Sequence, residues 1–228
     1  MAVLALLHTS SVHVPVFDAL RDADHAGLAL RHLVDASLLE RAREAGPEAV
    51  AGDVAAAIAE AVDGGADAVL CTCSTIGAVA EGVAAGVPVL RVDRPMAAAA
   101  AAERRVVVIA SVASTLEPTV ALIREEAAGG AAGEPSIRTV LVDDAWARFQ
   151  AGDRDGYLAA VAAALDGVRD ADVIVLAQAS MADAADRART AIPVLSSPRT
   201  GLTAAVATLM SDPAAPGNAQ RERLNRPA

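Results

Sequence analysis

Hydrophobic positions along the chain fall into two alternating kinds of segment. Short apolar runs occur at Val3–Leu7, Leu30–Val34, Ala68–Cys71, Val87–Val92, Val106–Ala110, Thr139–Val142, Val173–Leu176 and Ile192–Leu195. Between them lie Ala-rich stretches in which apolar residues recur with helical period, such as Asp53–Asp63, Leu116–Glu126 and Tyr157–Val168. Alternation of strand-like and helix-like segments is the pattern of βα units, and it predicts an α/β fold with a mostly parallel sheet.

The pattern also repeats. Ala66-Asp67 precedes the apolar run leading to Cys73, Ala171-Asp172 precedes the run leading to Gln178, and the offset is 105 residues. Pro88-Val89-Leu90 recurs as Pro193-Val194-Leu195 at the same offset of 105. The same step places Thr9-Ser10 on Ser114-Thr115, while Leu33-Val34-Asp35 resembles Leu141-Val142-Asp143 at an offset of 108. A constant offset held in order is the mark of a duplicated unit. The expectation is two pseudo-symmetric lobes, each a mostly parallel four-stranded sheet flanked by helices, with an active site between them. Residues 1–98 would form the first lobe and 99–199 the second. A helix near Leu202–Met210 would return residues 200–211 to the first lobe, and 212–228 would be a flexible tail rich in Pro, Ala, Asn and Arg.

Composition narrows the function. At 228 residues the chain can bury a substantial core, and alanine interleaved with charged residues is the largest part of its 54% hydrophobic content. No apolar stretch approaches the roughly 20 residues of a spanning helix, so neither a membrane segment nor a signal peptide is expected. A cytoplasmic location follows as the expectation. A net charge of -10 and 2% aromatic residues exclude a nucleic-acid partner, which needs clustered cations and stacking rings. No lysine occurs anywhere, so Schiff-base chemistry with pyridoxal phosphate and a Walker-type phosphate loop are both ruled out, and no cofactor is expected.

In parallel α/β sheets ligands sit at the carboxyl ends of strands, where loops enter helix N-termini. Small polar residues collect at those places: His8, Thr9 and Ser10 after the first run, Cys73, Ser74 and Thr75 after the third, Ser111, Ser114 and Thr115 after the fifth, and Gln178 and Ser180 after the seventh. They read either as ordinary helix caps or, taken together, as cradles for a carboxylate. Cys73 is the candidate acid/base, because a thiol preceding a helix N-terminus faces the positive end of the helix dipole, which favours the thiolate. Cys71 lies nearer the strand interior and reads as a small buried hydrophobe. A Cys-x-Cys metal pair is the alternative, but the four histidines, His8, His13, His25 and His32, show no zinc spacing and no metal is expected.

The segment Ala66-Asp67-Ala68-Val69-Leu70-Cys71-Thr72-Cys73-Ser74-Thr75 resembles the Cys-Asn-Thr segment of the aspartate/glutamate racemase superfamily, which also includes hydantoin racemases, maleate isomerases and arylmalonate decarboxylases. The resemblance implies a cofactor-independent enzyme in which a cysteine from each lobe faces the α-carbon of a small carboxylate substrate. It assigns Cys73 as the first-lobe cysteine and Ser74 and Thr75 as carboxylate binders, and it implies a homodimer. The segment Ala171–Met181 resembles the loop that carries the second cysteine, but that position is Gln178. A glutamine amide donates hydrogen bonds and does not exchange protons near pH 7. Racemisation therefore needs another proton carrier, for which His8 is the first candidate and Ser180 the second. A lyase such as a decarboxylase needs only one thiol, as does a nucleophilic role in which Cys73 adds covalently to the substrate while Gln178 orients it, and a non-catalytic carboxylate-binding protein needs none.

Overall fold

The computed structural model describes residues 2–130 and 133–211, so the tail expected from 212 onward lies outside the described residues. The chain divides into two compact units, Met1–Val92 with Gly201–Ala228 and Asp93–Thr200. The first unit contains β1 (Val3–His8), α1 (Val14–Asp24), β2 (Ala29–Val34), α2 (Ala36–Ala45), α3 (Ala51–Asp63), β3 (Ala68–Cys71), α4 (Ser74–Glu81) and β4 (Val89–Arg91). The second contains α5 (Arg94–Ala101), β5 (Arg105–Ala110), α6 (Leu116–Gly129), β6 (Ser136–Leu141), α7 (Ala145–Gln150), α8 (Arg154–Gly167), β7 (Val173–Leu176) and β8 (Val194–Ser196). The last helix, α9 (Ser197–Ser211), continues from β8, and its residues from Gly201 belong to the first unit.

Each unit holds a four-stranded sheet, ordered β2-β1-β3-β4 in one and β6-β5-β7-β8 in the other, and every strand pair is parallel. The expected α/β architecture with duplicated lobes is therefore present. Every strand run anticipated from the sequence contains a strand. Boundaries shift by one to three residues, most at β6, which begins at Ser136 rather than Thr139, because its first residues pair with β5 as an outer strand and most remain exposed. An outer strand with a solvated face can carry Ser136 and Arg138, so its first half has no apolar signature.

The central strands alternate their side chains between two cores, as a pleated strand must. In the first unit Leu4, Leu6 and Leu70 face Phe17 of α1 and Leu202, Ala205 and Leu209 of α9. Ala5, Leu7, Val69 and Cys71 face the other way, onto Leu38, Val54, Ile58 and Ile76. In the second unit Val106, Val108, Val173 and Val175 meet α5 and α6, while Val107, Ile109, Ile174 and Leu176 meet α7 and α8.

The two units reuse one hydrogen bond. The Asp67 carboxylate accepts the Val3 N–H at 2.8 Å, and the Asp172 carboxylate accepts the Arg105 N–H at 2.9 Å. This pins the start of each central strand to the loop before its neighbour. Strand registers correct one of the repeat offsets. Leu4 pairs with Ala68 and Val106 with Val173, so β3 precedes β7 by 105 residues whereas β1 precedes β5 by 102. Thr9 is thus the counterpart of Ser111, not of Ser114, and three extra residues separate the equivalent Asp67 and Asp172 from their first strands in the second unit. Likewise Ala29 pairs with Val3 and Ser136 with Arg105, which sets the second strands 107 apart instead of 108.

Candidate functional site

Parallel strands bring all carboxyl ends of a sheet to one edge, and each unit carries its candidate residues there. In the first unit Thr72-Cys73 links β3 to α4, and Cys73 is the N-cap residue of α4 with extended backbone, φ -112° and ψ 116°. Its side chain makes no capping bond and is half-buried. The first-turn N–H groups of α4 have no carbonyl partner within the helix and form its positive end. Thr75 in that turn is 5% exposed, and its Oγ1 has no hydrogen-bond partner among the described residues. Leaving a buried hydroxyl unsatisfied costs about 1–3 kcal/mol, which an anionic ligand at the helix start would recover. Ser74 is also buried. Cys71 is fully buried, and its thiol donates to the Cys73 carbonyl at 3.6 Å, so it supports the turn from below.

His8 ends β1 with its ring fully buried. Thr72 Oγ donates to the Leu7 carbonyl at 3.1 Å, so it accepts from His8 Nδ1 at 2.8 Å. That leaves His8 Nε2 to accept from His32 Nδ1 at 2.8 Å, and His32 Nε2 in turn lies 3.3 Å from Asp18 Oδ1. The result is a chain of side chains running from the surface helix α1 to the residue beside Cys73. Both nitrogens of His8 are occupied, and burial, with help from His32 and His13, pushes its pKa down to about 3. His13 follows in the turn after β1. Its Nδ1 is buried without a partner among the described residues, and burial pushes its pKa down to about 4. Ser10 begins that turn without a side-chain capping bond, and Thr9 is buried.

These histidines carry a pH prediction. Their folded pKa values lie below the ordinary 6.5, so between pH 6.5 and the folded values the unfolded chain binds more protons than the folded one. The stabilisation is complete above pH 6.5 and is lost as the pH falls toward about 3 for His8 and about 4 for His13. Thermal melting from pH 7 to 4 should show the loss, and His8→Gln should flatten the curve relative to wild type. Parallel curves would contradict the buried neutral ring.

In the second unit Gln178 occupies the place of Cys73. It too is an N-cap residue with extended backbone, φ -131° and ψ 136°, two residues beyond the end of its strand, but the helix that follows, Ala179–Arg187, is of the 3-10 type. Its Oε1 accepts the Ser111 N–H at 2.7 Å, the Ser111 hydroxyl at 2.9 Å and the Val112 N–H at 3.1 Å. Ser111 Oγ lies 3.3 Å from the Tyr157 hydroxyl, which lies 2.8 Å from Ser180 Oγ. Thr115 donates to the Val112 carbonyl at 2.8 Å and serves its own turn, whereas Ser114 Oγ is buried without a partner among the described residues.

Sequence reasoning missed Thr72, His32, Asp18 and Tyr157. A signal for the histidines was present: Leu4-x-Leu6-x-His8 and Leu28-x-Leu30-x-His32 share one pattern, and strand alternation puts both rings on one face of paired strands. It also missed Arg91, 4% exposed at the end of β4 and in register with Cys71, whose Nε lies 3.1 Å from where a Cβ on Gly77 would stand. Among the described residues no group of three His, Cys, Asp or Glu side chains could hold a metal, and no helix is long and apolar enough to cross a membrane.

No family model and no curated protein sequence matches the chain. Solved structures do. A glutamate racemase from Francisella tularensis in complex with D-glutamate superposes with a TM-score of 0.72 at 10% identity, covering 92% of this chain and 81% of that one. Picrophilus torridus aspartate racemase gives a TM-score of 0.67 at 15% identity, with 92% and 94% covered. Arylmalonate decarboxylase gives 0.58 at 18% identity, with 90% and 91% covered. At least 90% of this chain is covered in each case, and the chain has the fold of the aspartate/glutamate racemase superfamily.

Proposed function

We propose that this chain is a cofactor-independent enzyme of the racemase and isomerase type, in which Cys73 moves a proton at the α-carbon of a small carboxylate substrate. The observation that carries this reading is the pairing of an uncapped, half-buried thiol with an unpartnered buried hydroxyl, Thr75 Oγ1, at the start of one helix. A carboxylate held by the α4 N–H groups and Thr75 would place its α-carbon beside Cys73. The Cys73 thiolate would take the α-hydrogen as a proton, the C–H electron pair would pass into an enediolate, and the same donors would stabilise its oxygens. The racemases of the same fold support an isomerase, and the absence of lysine supports chemistry without pyridoxal phosphate.

A second reading is favoured by Gln178. The second unit carries an amide, not a thiol, at the position equivalent to Cys73, and His8 is buried, neutral and hydrogen-bonded at both nitrogens, so Cys73 has no evident second proton carrier. A decarboxylation needs only one proton delivery: carbon dioxide leaves, its bonding pair forms the enediolate, and the Cys73 thiol protonates the carbon. Reaction in deuterated water separates the two. A racemase places deuterium at the α-carbon of both enantiomers of its substrate, a lyase labels only its product, and a carboxylate-binding protein labels nothing.

A further inference from the structure

In the second unit three hydrogen-bond donors converge on one side-chain oxygen of the chain itself. Two successive backbone N–H groups, Ser111 and Val112, and the Ser111 hydroxyl converge on a single oxygen at 2.7, 3.1 and 2.9 Å. Three donors and no acceptor around one atom is the environment of a carboxylate oxygen, yet the atom is the neutral Oε1 of Gln178. The donors also fix which end of the amide enters: backbone N–H groups cannot donate to the amide nitrogen, so Nε2 is turned out of the cradle, and it has no hydrogen bond among the described residues.

The cradle is held from behind. Because the single hydroxyl proton of Ser111 goes to Gln178, Ser111 Oγ must accept from Tyr157, and Tyr157, its own proton spent, must accept from Ser180. The chain Ser180, Tyr157, Ser111, Gln178 thus runs in one direction, and aligned bonds of this kind reinforce one another. Tyr157 is fully buried and is the one tyrosine in the sequence. Burial pushes its pKa up, which keeps the phenol a donor.

We propose that the Ser111–Val112 cradle is a carboxylate site closed by an internal ligand, the Gln178 carbonyl, and that removing this side chain opens it to small carboxylates. The proposal concerns the second unit alone and does not depend on the catalytic reading of Cys73.

The test is a titration of the intact ¹⁵N-labelled chain with sodium formate, following the backbone amide signals of Ser111 and Val112. Gln178→Ala should show saturable shifts at both amides, and acetamide should compete for them, while wild type shows none. Saturable shifts of equal size in wild type, or none in Gln178→Ala, would overturn the proposal. Unmoved signals from β3 and β7 confirm that the variant is folded, and Gln178→Ser provides a second truncation if the alanine variant is not. The readout involves neither Cys73 nor turnover, so its failure is distinct from failure of the catalytic reading.

Discussion

Replacing Cys73 by serine is expected to lower turnover by roughly 10²–10⁴-fold, the range a positioned acid/base contributes, while leaving the melting temperature nearly unchanged. The hydroxyl is isosteric enough to keep the start of α4, where the Cys73 side chain makes no capping bond to lose. It is a far weaker acid than a thiol, so it cannot supply the anion that removes an α-proton. Cys71→Ala is the matched control. Its side chain is fully buried in the apolar layer of β3, so the expected loss is in stability, about 1 kcal/mol for a small buried side chain, with most activity retained. Equal losses of activity from the two substitutions would remove the distinction on which the assignment of Cys73 rests.

Gly201→Ala should be the most damaging of the small substitutions. Alanine in a helix interior normally stabilises by about 1 kcal/mol over glycine. Here an added Cβ would stand 2.3 Å from the Val92 carbonyl oxygen and 2.5 Å from Val92 Cγ2. The nearest obstacle is backbone at the end of β4 and cannot rotate away, and Val92 is itself buried with Leu4, Leu6 and Leu202. Overpacking of this kind costs about 3 kcal/mol, which for a chain of this size lowers the melting temperature by about 6–12 °C. Gly52→Ala, in α3 with nothing within 4 Å of its added carbon, should be neutral or stabilising. Calorimetry of the two variants beside wild type gives the comparison, and similar melting temperatures for both would show that α9 does not pack as described.

How much of this could be read from the residues depends on what each feature requires. The sheets were legible because central strands buried on both faces need unbroken apolar runs, and Val106–Ala110 and Val173–Leu176 are such runs. The start of β6 was not, because half of an outer strand faces water and hides its period. The equivalence of Cys73 and Gln178 could be read from spacing, since both follow their strands by two residues. The pairing of Thr9-Ser10 with Ser114-Thr115 could not, because loop lengths leave no apolar trace and small polar residues recur in any turn. What Gln178 does was hidden for a different reason. Its partners Ser111 and Val112 lie 67 and 66 residues away in the chain and meet it through the pairing of β5 with β7, and Tyr157 of α8 backs Ser111. Hydrogen-bond partners across a sheet are a product of tertiary register, and no local pattern encodes them.

The most direct test of the account is to alkylate the protein with iodoacetamide, map the modified residue by fragmentation, and follow α-hydrogen exchange from a panel of α-amino, α-hydroxy and α-aryl carboxylates in the same samples. Exchange should fall in proportion to modification of Cys73, and a bound carboxylate should slow both. Full alkylation of Cys73 with exchange undiminished would contradict the claim that its thiol carries the proton.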